Sequence, residues 1–101
     1  SMLKISNLQP VTREFAFLIN EEIESEKVCQ VAKSINKDLI TDVIILDIYK
    51  GEKIPRDMKS VAIKVTIQPI QETLTDYELE EISADLISTI EKKLSGSLRE
   101  I

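Results

Sequence analysis

The chain has 101 residues, of which 43% are hydrophobic, and a net charge of −5, values that fit one globular domain with an aliphatic core. It contains no His and one Cys, which excludes an internal disulfide and disfavours a transition-metal site or a common nucleophile–base pair. No apolar run approaches the ~20 residues of a membrane span, and the lone Cys29 fits a reducing compartment. We therefore expect neither a catalytic site nor a metal site within this chain.

The first two residues, Ser-Met, have the form of a cloning scar ahead of an introduced start codon, so we take residues 3–101 as the domain. No internal repeat, low-complexity tract or linker interrupts it. We expect the domain to be cut from a longer protein; a complete protein with one leftover residue is the alternative.

The first predicted strand covers residues 12–19 and alternates between an apolar face and a second face that carries Ala16. The apolar face consists of Phe15, Phe17 and Ile19. After an acidic loop, Ser25 is positioned to cap a helix that extends to about Asn36. This helix has an apolar stripe formed by Val28, Val31, Ala32 and Ile35.

The second predicted strand, residues 41–49, begins with the apolar run VIIL and ends in LDIYKG. Its predicted core face consists of Ile44, Leu46 and Ile48. Strict alternation then turns Asp47 and Tyr49 to the opposite face, together with Val43 and Ile45. A carboxylate and a phenol at the end of such a segment indicate that one face of this strand is open to solvent.

A polar connection that contains Gly51 and Pro55 precedes the third predicted strand, residues 60–68. This strand ends before Pro69, because proline has no N–H to donate to a sheet ladder. Its core face consists of Val61, Ile63, Val65 and Ile67, and its opposite face of Ser60, Ala62, Lys64, Thr66 and Gln68.

The second predicted helix starts at a capping box formed by Thr75 and Glu78, with Leu74 and Leu79 at the two staple positions. Its buried stripe consists of Leu79, Ile82, Leu86, Ile90 and Leu94. Gly96 suits the cap beyond its end, and the remaining SLREI is long enough for one short edge strand.

The order strand, helix, strand, strand, helix, strand predicts an α+β domain with the ferredoxin-like βαββαβ arrangement. In that arrangement a four-stranded antiparallel sheet carries both helices on one face. The amphipathic helices need an apolar sheet face to pack on, and the three alternating strands supply it.

The uncovered sheet face is then expected to bring together Ala16, Asp47, Tyr49 and Ser60. The small Ala16 leaves floor space for a flat group, and the ring of Tyr49 offers a stacking surface worth ~1–3 kcal/mol per base. Asp47 accepts hydrogen bonds from ring or exocyclic N–H groups, which favours guanine, and Ser60 can donate or accept. These side chains predict a site for an unpaired base of a single-stranded RNA loop.

The charge distribution adds candidate contacts with the RNA backbone, despite the negative net charge. Residues 50–64 contain five bases and two acids, whereas residues 71–91 contain seven acids and no base. The candidate phosphate contacts are Lys50, Lys53, Arg56, Lys59 and Lys64. The acidic second helix is expected to be a solvated face that turns away from the RNA.

Simpler interpretations exist for the same residues. Tyr49 could fill a half-buried strand end, Asp47 could accept a hydrogen bond from the Lys50–Gly51 turn, and Lys64 could be a solvated sheet residue. For the whole domain, the alternative function is a small-molecule regulatory or protein-interaction domain. Ferredoxin-like sheets serve both classes, and the fold does not settle the function.

The stretches QPVTREFAFLI, LDIYKGEKIP, and KSVAIKVTIQ with TLTDYEL carry a family resemblance. They resemble, in order, the first strand, the aspartate-x-tyrosine-x-glycine segment, and the third strand and second-helix start of the ferredoxin-fold anticodon-binding domain. That domain ends the β subunit of bacterial phenylalanyl-tRNA synthetase, and the resemblance covers about residues 5–101. Two departures are Arg13-Glu14 in place of arginine-aspartate, and Leu8-Gln9 in place of an aromatic residue before Pro10.

The resemblance implies a parent enzyme that attaches phenylalanine to its tRNA using ATP and magnesium, with this domain gripping the anticodon loop of tRNA-Phe. It implies base recognition by the matching positions Ala16, Asp47, Tyr49 and Ser60, and a guanine as the first anticodon base. It further implies a cytoplasmic heterotetramer of two α and two β chains, with no cofactor and no ligase activity in this domain.

Overall fold

A computed structural model describes residues 8–70 and 74–99, which form four strands and two helices. In chain order these are β1 (Val11–Asn20), α1 (Glu26–Ser34), β2 (Ile40–Tyr49), β3 (Met58–Ile67), α2 (Asp76–Leu94) and β4 (Ser97–Leu98). This order confirms the predicted ferredoxin-like α+β class. The predicted cloning scar at residues 1 and 2 lies outside the described residues, as do the last two residues of the predicted edge strand.

The strands form one antiparallel sheet in the order β2–β3–β1–β4, so β3 and β1 are central. These two strands pair without a break, from Val11 opposite Ile67 to Asn20 opposite Met58. Directly opposed residues of an antiparallel pair point to the same face of the sheet. The unbroken register therefore determines which side chains of β1 and β3 share a face.

Both helices contribute to one hydrophobic core on one face of the sheet. Its fully buried side chains include Phe17, Ile19, Val61 and Ile63 from the sheet, Val28 and Ala32 from α1, and Leu86 and Ile90 from α2. Fully burying an aliphatic or aromatic side chain stabilises the fold by about 1.5–3 kcal/mol relative to leaving it exposed. In the described part of the chain, the opposite face of the sheet has no helix over it.

The two ends of α2 are specified by local chemistry. Thr75 Oγ1 accepts from the N–H of Glu78 at 3.1 Å, and Glu78 Oε1 accepts from the N–H of Thr75 at 2.8 Å, which confirms the predicted capping box. The residue in the left-handed conformation at the other end is Ser95, with φ 51°, and not Gly96. Gly96 serves close packing instead, because a Cβ there would lie 3.0 Å from Ile19 Cγ2.

The expected cap of α1 is wrong. Ser25 has helical backbone angles, φ −59° and ψ −31°, and its side chain makes no capping hydrogen bond. A capping residue needs an extended backbone to aim its side-chain oxygen at the first free N–H groups. Here the preceding turn, closed by Lys27 N–H donating to the Glu24 carbonyl at 2.9 Å, already leads into the helix. The helix ends at Ser34, shortly before the predicted Asn36.

The predicted faces of β2 are wrong for its first half. Val43 and Ile45 lie opposite core residues of β3, and Val43 is only 9% exposed. Ile44 lies on the uncovered face and is 40% exposed, and Leu46 and Ile48 are exposed as well. The run VIIL is apolar in both phases, so alternation alone does not decide which of its residues face the core.

A β-bulge at Leu46 reverses the alternation within β2. Neighbouring residues of β3 pair with Ile45 and with Asp47, so Leu46 is the extra residue between them. An extra residue changes the face of every residue that follows it in the strand. Asp47 and Tyr49 therefore lie on the uncovered face, as predicted, but because of the bulge and not because of unbroken alternation.

The corrected phase of β2 predicts opposite effects for two neighbouring substitutions. Val43→Ala should lower the free energy of unfolding by about 1.5–3 kcal/mol, because it removes two buried methyl groups and leaves a cavity. Ile44→Ala, although it removes more atoms, should cost less than about 1 kcal/mol, because Ile44 is on the open face. Urea unfolding of both variants measures the two losses of stability. A larger loss in Ile44→Ala than in Val43→Ala would support the phase predicted from alternation instead.

Candidate functional site

The uncovered face of the sheet brings the four predicted base-recognition residues into two neighbouring rows. One row consists of Leu18, Ser60 and Tyr49, and the next consists of Ala16, Ala62 and Asp47. Opposed residues within a row lie about 4.5–5.5 Å apart at Cβ, so each row spans β1, β3 and β2 side by side. The placement expected from the sequence holds for all four residues, and their role in binding stays a prediction.

The four residues divide into a buried floor and an exposed rim. Ala16 is 4% exposed and Ser60 is 3% exposed, whereas Tyr49 is 41% exposed and Asp47 is exposed. Among the residues that the structure describes, Ser60 is the one buried polar side chain. A hydroxyl at the centre of a sheet face that no helix covers must therefore be covered by neighbouring side chains.

Arg99 is the side chain that covers the floor. Its N–H donates to the carbonyl of Ala16 at 2.7 Å, just beyond the last residue of β4. Its guanidinium Nη1 donates to Ser60 Oγ at 3.2 Å, and its Cζ lies 5.6 Å from the centroid of the Tyr49 ring. This distance is within the range of a cation–π contact. Arg99 thus contacts three of the four predicted residues.

The sequence reasoning missed Arg99, although the signal was present. The length of SLREI predicts a short edge strand but does not by itself say which of its residues face the core. Leu98 pairs with Phe17 of β1, so the next residue falls opposite Ala16 on the uncovered face. A long cation that follows an apolar residue in the last strand is the pattern that indicates this position.

Gly51 leaves the space in which the end of the Tyr49 side chain lies. A Cβ placed on Gly51 would overlap the phenol end of Tyr49, with the ring Cζ at 2.5 Å. The backbone at Gly51 therefore approaches the ring more closely than any residue with a side chain allows. This contact, and not a left-handed backbone, explains the glycine two residues after the tyrosine.

Gly51→Ala should displace the Tyr49 ring and weaken its contact with Arg99, because the added methyl group occupies the space of the phenol. The expected result is a large chemical-shift change of the Tyr49 ring protons in NMR spectra. The neighbouring Glu52→Ala, which changes an exposed residue in the same connection, is the control. Tyr49 ring shifts that are the same in both variants would contradict this role of Gly51.

Comparison with known proteins places this arrangement in a family. The Ferredoxin-fold anticodon binding domain matches residues 6–99, nearly the whole chain. The chain belongs to this family. The match confirms the resemblance carried by the stretches quoted above. Of the stretch LDIYKGEKIP, Asp47 and Tyr49 lie on the uncovered face of this anticodon-binding domain.

The relatives of this anticodon-binding domain are much longer proteins. The phenylalanine–tRNA ligase beta subunit of Rhodopseudomonas palustris is 41% identical over 97 residues, which are 96% of this chain and 12% of that protein. The beta subunits of Bradyrhizobium diazoefficiens and Rhodospirillum rubrum are 40% and 41% identical, over 97% and 96% of this chain. The chain spans about 12% of the length of these relatives.

Three of the five candidate phosphate contacts are placed at the uncovered face of the anticodon-binding domain or at its border. Lys64 lies on this face, in the row between Glu14 and Ile44. Lys53 and Arg56 are exposed in the connection that leaves the sheet after Tyr49 and returns before Ser60. The connection therefore borders the two rows that hold the predicted base site.

The other two candidates have different surroundings. The ammonium group of Lys50 forms an ion pair with the carboxylate of Glu21. Lys59 lies opposite Ile19, a core residue, so its register position belongs to the helix-covered side of the sheet. The side chain of either lysine would have to move to reach the two rows of the predicted base site.

The acidic residues of α2 lie on the other layer of the domain. Asp76, Glu80, Glu81 and Asp85 are exposed, while Leu86 of the same helix is buried in the core. Because α2 packs against the covered face of the sheet, these carboxylates are kept away from the uncovered face. A polyanion at the uncovered face therefore does not meet them directly.

The remaining chemistry of the domain lies away from this face. Within residues 8–70 and 74–99, no group of three or more His, Cys, Asp and Glu side chains could hold a metal ion. None of the described helices is long and apolar enough to cross a membrane. Cys29 is buried in the core; this burial raises the pKa of its thiol, and the carboxylates of Glu26 and Asp42 raise it further.

Proposed function

We propose that this domain binds the anticodon loop of tRNA-Phe and holds one unpaired base on the uncovered face of its sheet. The observation that carries the proposal is the grouping of Ala16, Asp47, Tyr49 and Ser60 in two adjacent rows. This grouping occurs in a chain that belongs to an anticodon-binding family. In this proposal the domain positions tRNA for phenylalanylation by a larger protein and has no catalytic group of its own.

The rim of the site suits a guanine. The ring of Tyr49, 41% exposed, offers a face for stacking, and Asp47 in the next row offers carboxylate oxygens that only accept hydrogen bonds. Guanine presents N–H donors on its Watson–Crick edge, whereas adenine has an unprotonated ring nitrogen there. Adenine offers one N–H donor on that edge, whereas guanine offers two adjacent donors, N1–H and N2–H, that one carboxylate can accept together, so Asp47 favours guanine.

Phosphate contacts would come from the side of the polar connection. Lys53 and Arg56 are exposed there, and Lys64 is on the face itself. Such contacts position the RNA without reading its sequence. We keep Lys50 and Lys59 in the candidate set, although Lys50 must first leave its ion pair with Glu21.

We further propose that the parent protein is a phenylalanine–tRNA ligase β subunit that works in the cytoplasm with an α subunit, in a heterotetramer of two α and two β chains. The support is the identity of about 40% to beta subunits over nearly the whole chain. The use of ATP and magnesium is assigned to other parts of that protein.

Tyr49→Ala should weaken binding of the tRNA-Phe anticodon stem-loop about 5- to 150-fold, the equivalent of losing one base stack. The measurement is a fluorescence-anisotropy titration at low salt, with stem-loops that carry guanine or another base at the first anticodon position. Tyr77→Ala is the matched control, because Tyr77 is 72% exposed and belongs to α2 on the opposite layer.

Two further results decide the assignment. The stem-loop without guanine at the first anticodon position should bind more weakly to the unchanged domain. If the double variant Asp47→Ala/Tyr49→Ala binds both stem-loops as the unchanged domain does, the site assignment is wrong. If the isolated domain has no measurable affinity for either stem-loop, the same variants are titrated within the whole β subunit.

One observation favours the alternative of a protein-interaction domain. Ile44, Leu46 and Ile48 are exposed on β2, which is an edge strand of the sheet. An apolar edge strand offers both side chains and free backbone groups to another chain. Sedimentation equilibrium tests this: a concentration-dependent dimer of the chain that Leu46→Lys abolishes would support the alternative, and a monomer at all concentrations would exclude self-association through this edge.

A further inference from the structure

The base site proposed above is closed in the free domain. Ser60, a predicted reader of the base, is only 3% exposed, and its hydroxyl accepts a hydrogen bond from Arg99. The guanidinium of Arg99 also lies over the Tyr49 ring, at 5.6 Å from its centroid. A base that contacts both Tyr49 and Ser60 must therefore enter the space that the guanidinium now occupies.

The space between the Tyr49 ring and the guanidinium is too narrow for a base. A flat group in contact with both needs two van der Waals separations of about 3.5–4 Å, or about 7–8 Å in all. The distance from Arg99 Cζ to the ring centroid is 5.6 Å, which is an upper limit on the gap between the ring and the guanidinium, so the guanidinium must move outward by at least about 2 Å to admit a base. This is a small motion for a side chain with several rotatable bonds.

The two sides of this space differ in how firmly they are held. The Tyr49 phenol lies against the backbone of Gly51, which prevents the ring from moving toward the connection. Among the described residues, the end of the Arg99 side chain is held by a hydrogen bond to Ser60, and its backbone N–H donates to the Ala16 carbonyl. Opening therefore moves the guanidinium, while the ring and the backbone of Arg99 stay in place.

We propose that Tyr49 and Arg99 form a clamp, in which the incoming base stacks on the Tyr49 ring and the guanidinium moves outward to cover the other face of the base. Guanidinium planes stack on nucleobases in single-stranded RNA recognition. When the guanidinium leaves Ser60, the hydroxyl becomes available to the edge of the base. The inference rests on the proposed function and adds Arg99 as a residue that contacts the base.

The clamp predicts a role for Arg99 that differs from that of the other basic residues of the site. A phosphate contact depends on charge, is independent of the base, and contributes to the salt dependence of binding. A stacking contact depends on the base and on the planar guanidinium, and contributes little to the salt dependence. The same substitution therefore gives different results when the base is removed from the RNA.

The deciding experiment measures Arg99→Ala against two anticodon stem-loops, one intact and one with an abasic first anticodon position. On the intact stem-loop we expect a loss of about 2- to 30-fold, the range for a guanidinium over an aromatic face. On the abasic stem-loop we expect Arg99→Ala and the unchanged domain to bind equally. Arg99→Lys, which keeps the charge but not the plane, should lose most of the same affinity on the intact stem-loop.

Arg56→Ala is the matched control, because it removes the same charge from an exposed position in the polar connection. Its effect should be the same on the intact and the abasic stem-loop. If Arg56 contacts a phosphate, the slope of log affinity against log salt should fall by about one. The slope should change little in Arg99→Ala.

A second measurement reports on the clamp without relying on affinity. The chain has two tyrosines and no tryptophan, so Tyr77→Phe leaves Tyr49 as the only strong intrinsic fluorophore. Saturation with the intact stem-loop should quench Tyr49 emission, and saturation with the abasic stem-loop should not. Circular dichroism of each variant confirms that the fold is retained.

Each remaining outcome overturns a defined claim. An equal loss on both stem-loops with a reduced salt slope makes Arg99 a phosphate contact, and tighter binding by Arg99→Ala makes it a competitor of the base. Either result refutes the clamp and leaves the proposed function standing. If the unchanged domain binds intact and abasic stem-loops equally, the proposed base recognition fails.

Discussion

The β-bulge at Leu46 is the constraint on which the rest of this domain depends. Before it, Val43 and Ile45 face the helices and complete the core; after it, Asp47 and Tyr49 face solvent. Without the extra residue, a single phase would turn either Asp47 and Tyr49 to the helix-covered side or Val43 and Ile45 to the open face. The bulge therefore allows one strand to contribute to the core and then to the open face.

The second determining feature is the short strand β4. It contains two residues, yet it brings Arg99 across the open face to the site. The backbone bond from Arg99 to the Ala16 carbonyl continues the pairing of β4 with β1, and the side chain extends over Ser60 to Tyr49. The end of the described chain is therefore part of the site, because a sheet order with β4 beside β1 brings residues distant in sequence into one row.

The sheet keeps the acidic surface of α2 away from the uncovered face. A net charge of −5 argues against an RNA-binding chain only if charge is spread evenly. The acids of α2 lie on the helical layer, whereas Lys64 and Arg99 lie on the uncovered face and Lys53 and Arg56 in the connection beside it. The sheet separates the acids of α2 from the uncovered face, on which the carboxylates of Glu14, Asp42 and Asp47 accompany the cations of Lys64 and Arg99. A polyanion at this face therefore avoids the acids of α2, and the exposed Lys53 and Arg56 offer it positive charge at the border.

The sequence by itself determined the order of the elements, the fold class and the open faces of β1 and β3. Each of these follows from a local pattern: the period of the apolar residues, the turn residues, or the capping box at Thr75. The LDIYKG segment also indicated the family. Only the tertiary structure decided the phase of β2, since VIIL is apolar in either register and pairing with β3 selects one. It alone revealed the contact of Gly51 with Tyr49 and the position of Arg99 over Ser60. Such contacts join residues separated by turns or by most of the chain, and no periodic pattern along the sequence encodes the distance between them.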